Sequence, residues 1–155
     1  MSKRTIILIV SLSVVIILLS PFIVHKISFD LRYKSHRERW DRLSRGNYEA
    51  IVLSNSLDYP TGGENRIVVR EGKIIEGFNP GCVSCSLEEY GPLTIEALFD
   101  RIYKECIHMT LLPLCNVVYD ESFGYPRRID TYTFSEEGIH SPSITISEVW
   151  ITNEE

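Results

Sequence analysis

Four cysteines are the residues of this 155-residue chain best suited to chemistry: Cys82, Cys85, Cys106 and Cys115. Cys82 and Cys85 form a C-x2-C pair, a spacing found both in zinc knuckles and in thiol redox motifs. The other two do not repeat this spacing, because Cys106 lies on the apolar stripe of a predicted helix and Cys115 begins a predicted strand. Four cysteines allow three pairings, and short sequence separation favours disulfides Cys82–Cys85 and Cys106–Cys115. Thiol redox chemistry or zinc binding at Cys82 and Cys85 is the alternative that the sequence keeps open.

No other set of residues has the spacing of a catalytic, cofactor or metal site. The four histidines lie in no metal-ligand spacing, and neither a nucleophile elbow nor a glycine-rich phosphate loop is present in the sequence. Acidic residues occur as adjacent doublets such as Glu88-Glu89. Adjacent residues on a strand point to opposite faces, so a doublet is not a pair of carboxylates facing one substrate. The sequence therefore favours a protein that is not an enzyme.

The densest local pattern is YDESFGYPRRID, from Tyr119 to Asp130. It predicts a strand, a turn that contains Asp120 and Gly124, and a second strand that begins at Pro126, where a missing N–H is tolerated. We expect Gly124 to adopt a backbone angle that a β-carbon would oppose. The candidate binding surface for a partner consists of the four aromatic residues around this turn: Tyr119, Phe123, Tyr125 and Tyr132.

An α+β domain is predicted to position these residues. NYEAIVLSN has the β-branched content of a strand, and RIVVREGKIIEGF predicts a hairpin that turns at Glu71-Gly72. LTIEALFDRIYKECIHM predicts an amphipathic helix capped by Thr94. Its buried stripe comprises Ile95, Leu98, Phe99, Ile102, Cys106 and Met109. RRIDTYTF predicts one strand, EEGIHSPS a loop and ITISEVWI a closing strand. The order of strands, helix and strands indicates a mainly antiparallel sheet with one helix packed on one face.

The amino-terminal part of the chain predicts a membrane anchor. No charged residue occurs between Thr5 and Val24, and a helix of this length covers about 30 Å, the hydrocarbon thickness of a bilayer. We expect residues 1–4 in the cytoplasm and residues 5–24 as a transmembrane signal-anchor helix. Residues 25–46 carry seven Lys/Arg and three Asp/Glu, which predicts a basic helical stalk with an apolar stripe of Leu31, Trp40 and Leu43. Residues 47–155 form the predicted globular domain.

Charge and cysteine content bear on partners and location. Residues 47–155 carry seven Lys/Arg and eighteen Asp/Glu, so the domain lacks the clustered basic residues that nucleic-acid binding needs. The Lys/Arg residues after the span outnumber those before it, which favours a cytoplasmic domain. Four cysteines in a small domain favour an oxidising compartment instead. We expect a single-pass protein of the cytoplasmic (inner) membrane whose globular domain is extracytoplasmic.

Four stretches resemble, in the same order, an uncharacterised bacterial family, domain of unknown function 6174. They are RERWDRLSRGNYEAIV, IVVREGKII, LTIEALFDRI and VVYDESFGYPRRID. The most specific is the last, which matches a Tyr-Asp-x-x-x-Gly-Tyr-Pro pattern of that family. The resemblance covers roughly residues 37–150 and implies a domain behind a signal peptide, lipid anchor or membrane helix. No activity comes with it, so we expect a non-enzymatic module that binds a protein or an envelope component.

Overall fold

The computed structural model describes residues 3–55, 63–82, 84–108, 115–135, 138–140 and 142–152. The first element is a single helix, α1 (Lys3–Ser44), which runs from the apolar amino-terminal segment into the folded domain. This helix is long and apolar enough to cross a membrane, and its most apolar stretch is almost entirely exposed on the surface of the protein. It ends where Arg45 and Gly46 adopt positive φ angles of 47° and 73°, the left-handed geometry that commonly closes a helix.

The second half of α1 is part of the hydrophobic core. Phe29, Tyr33 and Trp40 are buried there, Trp40 completely. The predicted apolar stripe was wrong at two of its three positions, since Leu31 is 61% exposed and Leu43 is 37% exposed. Leu31 follows Phe29 by two residues, which is about 200° around a helix and therefore on the opposite side. The buried hydrophobic residues of this part of α1 are all aromatic.

Eight strands follow: β1 (Tyr48–Ser54), β2 (Gly63–Arg70), β3 (Lys73–Phe78), β4 (Cys115–Tyr119), β5 (Pro126–Thr131), β6 (Thr133–Ser135), β7 (Gly138–His140) and β8 (Ser143–Ile151). Six of them form one antiparallel sheet in the order β3-β2-β1-β8-β5-β4, and β6 pairs with β7 separately. The predicted β2–β3 turn is confirmed, because Glu71 and Gly72 both have positive φ, 51° and 72°, as a tight hairpin turn requires.

The end of β5 departs from the sequence-based expectation. One strand was predicted to extend through Phe134 and a loop to follow it. Instead β5 ends at Thr131, and the chain continues as the short β6–β7 hairpin. The predicted strand is interrupted at Tyr132 because its two parts pair in different sheets: β5 pairs in the six-stranded sheet, whereas β6 pairs with β7.

Helix α2 (Ile95–Ile102) continues into a π-helical turn (Tyr103–His108) and packs on the sheet beside α1. The predicted stripe is confirmed within the described residues, since Ile95, Leu98, Phe99, Ile102 and Cys106 are buried; Met109 lies outside them. The predicted cap is also confirmed, because Thr94 Oγ1 accepts a hydrogen bond from the Ala97 N–H at 3.2 Å. A 3-10 helix (Leu87–Leu93) replaces part of the predicted loop before α2. The predicted α+β fold with a mainly antiparallel sheet is confirmed.

Candidate partner-binding groove

A network of buried polar contacts holds α1, β1 and α2 together. The Trp40 Nε1–H donates to Glu96 Oε1 at 3.0 Å, and the Tyr48 hydroxyl donates to Glu96 Oε2 at 2.5 Å. Tyr48 Oη in turn accepts from the Ile95 N–H at 3.0 Å. Burial raises the pKa of Tyr48 well above its ordinary value, and the Glu96 carboxylate raises it further. The network fixes the end of α1 relative to the sheet.

Arg37 adds a second connection between the two helices. Its guanidinium donates to the Glu96 carbonyl oxygen at 3.3 Å and lies 5.1 Å from the centre of the Phe99 ring. It also forms an ion pair with Asp41 at 3.1 Å, within α1. A residue that contributes to the basic character of segment 25–46 therefore serves to pack α1 on α2.

The turn between β4 and β5 is closed by its own backbone and by Asp120. Asp120 Oδ1 accepts from the Ser122 and Phe123 N–H groups at 3.0 and 2.8 Å. The Asp120 N–H donates to the Tyr125 carbonyl at 2.8 Å, and the Gly124 N–H donates to the Asp120 carbonyl at 2.9 Å. These contacts give the turn one defined shape.

Gly124 docks this turn on α1. Its φ is +89°, and a β-carbon built on it would lie 2.6 Å from the His36 carbonyl oxygen and 3.1 Å from Arg39 Cβ. Both the backbone angle and the close approach therefore require glycine. The Tyr125 ring packs edge-on against Trp40, with ring centres 5.9 Å apart. The turn and the last part of α1 thus form one packed unit.

The four aromatic residues of the candidate surface do not come together. Tyr125 is buried in the core, and Tyr119 is half-buried and stacks on His36 with ring centres 4.3 Å apart. Phe123 and Tyr132 are exposed, but they lie beyond opposite ends of β5, a six-residue strand that is about 20 Å long. Docking of the turn on α1 accounts for the burial of Tyr125, so the four residues cannot act as one surface.

Burial shifts the pKa values of both rings in the stacked pair toward their uncharged forms. Burial lowers the pKa of His36, and the nearby Arg39 and Arg32 side chains lower it further. Burial raises the pKa of the Tyr119 hydroxyl. Neither His36 Nδ1 nor Tyr119 Oη has a hydrogen-bond partner among the described residues. The contact between α1 and β4 is therefore one of ring packing rather than of charge.

Phe123 instead belongs to an apolar groove of about 370 Å³, which we call the distal groove; its lining comprises Leu43, Phe123, Val149, Trp150 and Ile151. Leu43, Phe123 and Trp150 are 37%, 39% and 44% exposed. Sequence reasoning identified Phe123 but missed the other four residues. One signal could have suggested three of these four: Val149, Trp150 and Ile151 are consecutive, so this end of β8 is apolar on both faces.

The distal groove exists because β5 pairs with β8 over only a short stretch. β5 pairs with β8 only over Arg128–Asp130 opposite Ser143–Thr145, whereas β8 pairs with β1 as far as Ile151. The residues that would extend the β5 pairing are Arg127, then Pro126, which has no N–H, and then the turn that docks on α1. Among the described residues, β8 beyond Thr145 is therefore paired on one side only, and the groove lies along its other side.

The cysteines form two disulfides away from this groove. Cys82–Cys85 closes the loop after β3, and Cys106–Cys115 joins the π-helical turn to β4. These are the pairings that short sequence separation favours. The Cys82 and Cys85 sulfurs and a Glu89 carboxylate oxygen lie within 4.8 Å of one another. These three groups could hold a metal ion only after reduction, since zinc binds thiolates.

One family model, described as a family of unknown function (DUF6174), matches residues 32–134, more than half of the chain. The match begins within α1, in the part that packs in the core, and includes the turn between β4 and β5. No curated protein and no solved structure matches the chain. The β8 wall of the distal groove lies outside the matched range.

Proposed function

The chain belongs to the family of unknown function DUF6174, and on that premise we propose that it is a membrane-anchored, extracytoplasmic module that binds a partner protein in the distal groove. The half-paired strand β8 carries this proposal. An exposed strand edge binds an extended peptide through main-chain hydrogen bonds, and pockets beside it select alternate side chains. Here the edge is bordered by the exposed side chains of Leu43, Phe123 and Trp150.

The chemistry of the groove defines the segment that it would bind. The β8 part of the lining, Val149–Ile151, spans about 10 Å, enough for about three residues of a segment in extended conformation. No charged side chain is among the five residues of the lining, so the segment carries apolar side chains at alternate positions. The domain from residue 47 onwards has eighteen Asp/Glu against seven Lys/Arg, which favours basic residues on either side of that segment.

The position of the groove fits a partner that approaches from solution. Leu43 follows Val24, the end of the uncharged run, by nineteen residues, or about 28 Å along a helix. If residues 5–24 span the cytoplasmic membrane, the groove stands well clear of the lipid surface. The two disulfides favour the oxidising side of that membrane.

We assign the Cys82–Cys85 disulfide a structural role. A redox-active pair is activated by nearby positive charge or by a helix N-terminus. Cys85 does precede the 3-10 helix, whose N-cap is Ser86, but Glu89 brings a negative charge within 4.8 Å of both sulfurs and so opposes a thiolate there. Glu89 Oε2 also accepts the Ser86 N–H at 2.7 Å, so its position is fixed by a cap. Free-thiol titration of the full chain in glutathione buffers tests this assignment. A Cys82–Cys85 pair that exchanges readily would favour the redox alternative.

Photocrosslinking in cells tests the partner proposal. A photoreactive phenylalanine analogue at Phe123 or at Trp150 should yield the same adduct with a second protein. The matched control is Tyr132, which is as exposed as Phe123 at 41% but lies at the other end of β5, and it should not yield that adduct. Mass spectrometry should place the crosslink in an extended apolar segment of the partner.

Three results contradict the proposal. They are equal adducts at Tyr132, no adduct at either groove position, and an adduct with a second copy of this chain. Alkaline carbonate extraction of the same cells tests the anchor separately, because a membrane-spanning protein stays in the pellet.

A further inference from the structure

We infer that a second groove, between α1 and the π-helical turn, binds the headgroup of an anionic membrane phospholipid. This inference rests on the proposed anchoring of α1 in the membrane and is independent of the partner that the distal groove binds. The second groove, here called the proximal groove, has a volume of about 510 Å³. Its lining combines the apolar side chains of Ile23, Ile27 and Ile107 with the charged side chains of Lys26, Asp30 and Lys34.

The proximal groove lies at the level of the lipid headgroups. Hydrocarbon ends near Val24 if residues 5–24 span the bilayer, and each headgroup layer is about 5–8 Å thick. Lys26 lies about 3 Å beyond Val24 along the helix. The Lys34 ammonium forms an ion pair with Asp30 at 2.9 Å. Because Asp30 follows Val24 by six residues, this ammonium lies about 9 Å beyond Val24 along the helix. The two lysines therefore bracket the layer that contains the lipid phosphates.

Both walls of the groove are held in place by the core. α1 continues from the apolar run into the domain, where Phe29 and Tyr33 are buried. The Tyr33 ring contacts the Tyr103 ring at 6.0 Å between centres, so the π-helical turn lies against α1. The Cys106–Cys115 disulfide ties this turn to the sheet. A lipid in the groove would therefore meet a preformed site.

The side chains of the groove match the parts of a phospholipid. Isoleucines at the hydrocarbon boundary suit an acyl chain, and two ammonium groups suit a phosphodiester. The three charged side chains Lys26, Asp30 and Lys34 together carry one net positive charge, which favours an anionic lipid over a zwitterionic lipid. The Asp30 carboxylate and the Tyr103 and His108 side chains can accept hydrogen bonds from the hydroxyls of a glycerol headgroup.

Native mass spectrometry of the full chain tests this inference. The protein is extracted in mild detergent and exposed to equal amounts of phosphatidylglycerol and phosphatidylcholine, and the bound lipids are counted. We expect one phosphatidylglycerol per chain, retained in preference to phosphatidylcholine. A Lys26→Gln/Lys34→Gln variant should lose this preference, with affinity falling about fivefold or more for each lysine near an anionic headgroup.

The matched control is Lys73→Gln/Lys104→Gln, which removes the same charge. Lys104 is an exposed residue of the π-helical turn that is not part of the groove lining, and Lys73 lies on β3. Equal loss of lipid in this variant would show attraction by net charge alone and would overturn the inference. So would equal retention of phosphatidylcholine, or displacement of the lipid by millimolar inorganic phosphate. Carbonate extraction distinguishes these results from a failure of the anchor itself.

Discussion

Substitution of Gly124 by alanine tests whether the turn between β4 and β5 is fixed by its contact with α1. The substitution should lower the free energy of unfolding for two reasons. At φ +89° a residue with a β-carbon is strained by about 1–2 kcal/mol. The new β-carbon would also lie 2.6 Å from the His36 carbonyl oxygen, so the turn must move about 1 Å to restore normal contact. This movement loosens the packing of Tyr125 on Trp40 and should bring the total to about 3–4 kcal/mol.

Gly72→Ala is the matched control because it separates the two costs. Gly72 has a φ of +72°, but a β-carbon there would meet nothing within 4 Å. Gly72→Ala should therefore lower the free energy of unfolding only by the backbone strain, about 1–2 kcal/mol. Urea unfolding of the full chain in mild detergent, followed by tryptophan fluorescence, measures both variants. The expected difference in the free energy of unfolding is about 2 kcal/mol. Equal losses would refute the docking argument, because strain alone would then account for Gly124.

Three further predictions use the same unfolding assay. Because the folded state lowers the pKa of His36, the unfolded state gains a proton first as the pH falls below about 6.5. The free energy of unfolding should therefore fall as the pH is lowered from about 6.5 to the pKa of His36 in the folded state. His36→Gln should reduce the slope of the free energy of unfolding against pH in this range; an unchanged slope would contradict the prediction. Tyr48→Phe removes hydrogen bonds to Glu96 and Ile95 and should cost about 1–3 kcal/mol, whereas an unchanged midpoint would show that the network contributes little. Replacement of Cys106 and Cys115 by serine opens a loop with a sequence separation of 9 and should cost about 2–3 kcal/mol; a smaller loss than for the Cys82–Cys85 pair would contradict the loop-entropy argument.

Local patterns in the sequence predict much of the fold. The β2–β3 hairpin follows from a glycine at the second position of its turn, and the buried face of α2 follows from helical spacing. The pairing of Cys106 with Cys115 follows from their short separation. Each of these features is decided by residues within about ten positions of one another, so no knowledge of tertiary contacts is needed.

Features that depend on distant contacts could not be predicted in this way. Tyr125 is buried because its turn packs on Trp40, 85 positions earlier in the chain. The distal groove depends on where β5 leaves β8, which is a matter of register between strands. Its residue Leu43 is predicted to share an apolar stripe with Leu31 and Trp40, but only Trp40 of the three is buried, and Phe29 and Tyr33 complete the buried face of α1.

The position of the core on α1 links the two grooves. The uncharged run ends at Val24 and the first buried core residue is Phe29, so only four residues separate a membrane span from the folded domain. A linker of four helical residues cannot swing, since it continues the hydrogen-bonding of the helix on both sides. A span in the membrane would therefore fix the height and orientation of the domain. In that arrangement the proximal groove would meet the headgroups and the distal groove would stand about 28 Å above the hydrocarbon, so that the proposed lipid binding at one end of α1 would orient the proposed partner binding at the other.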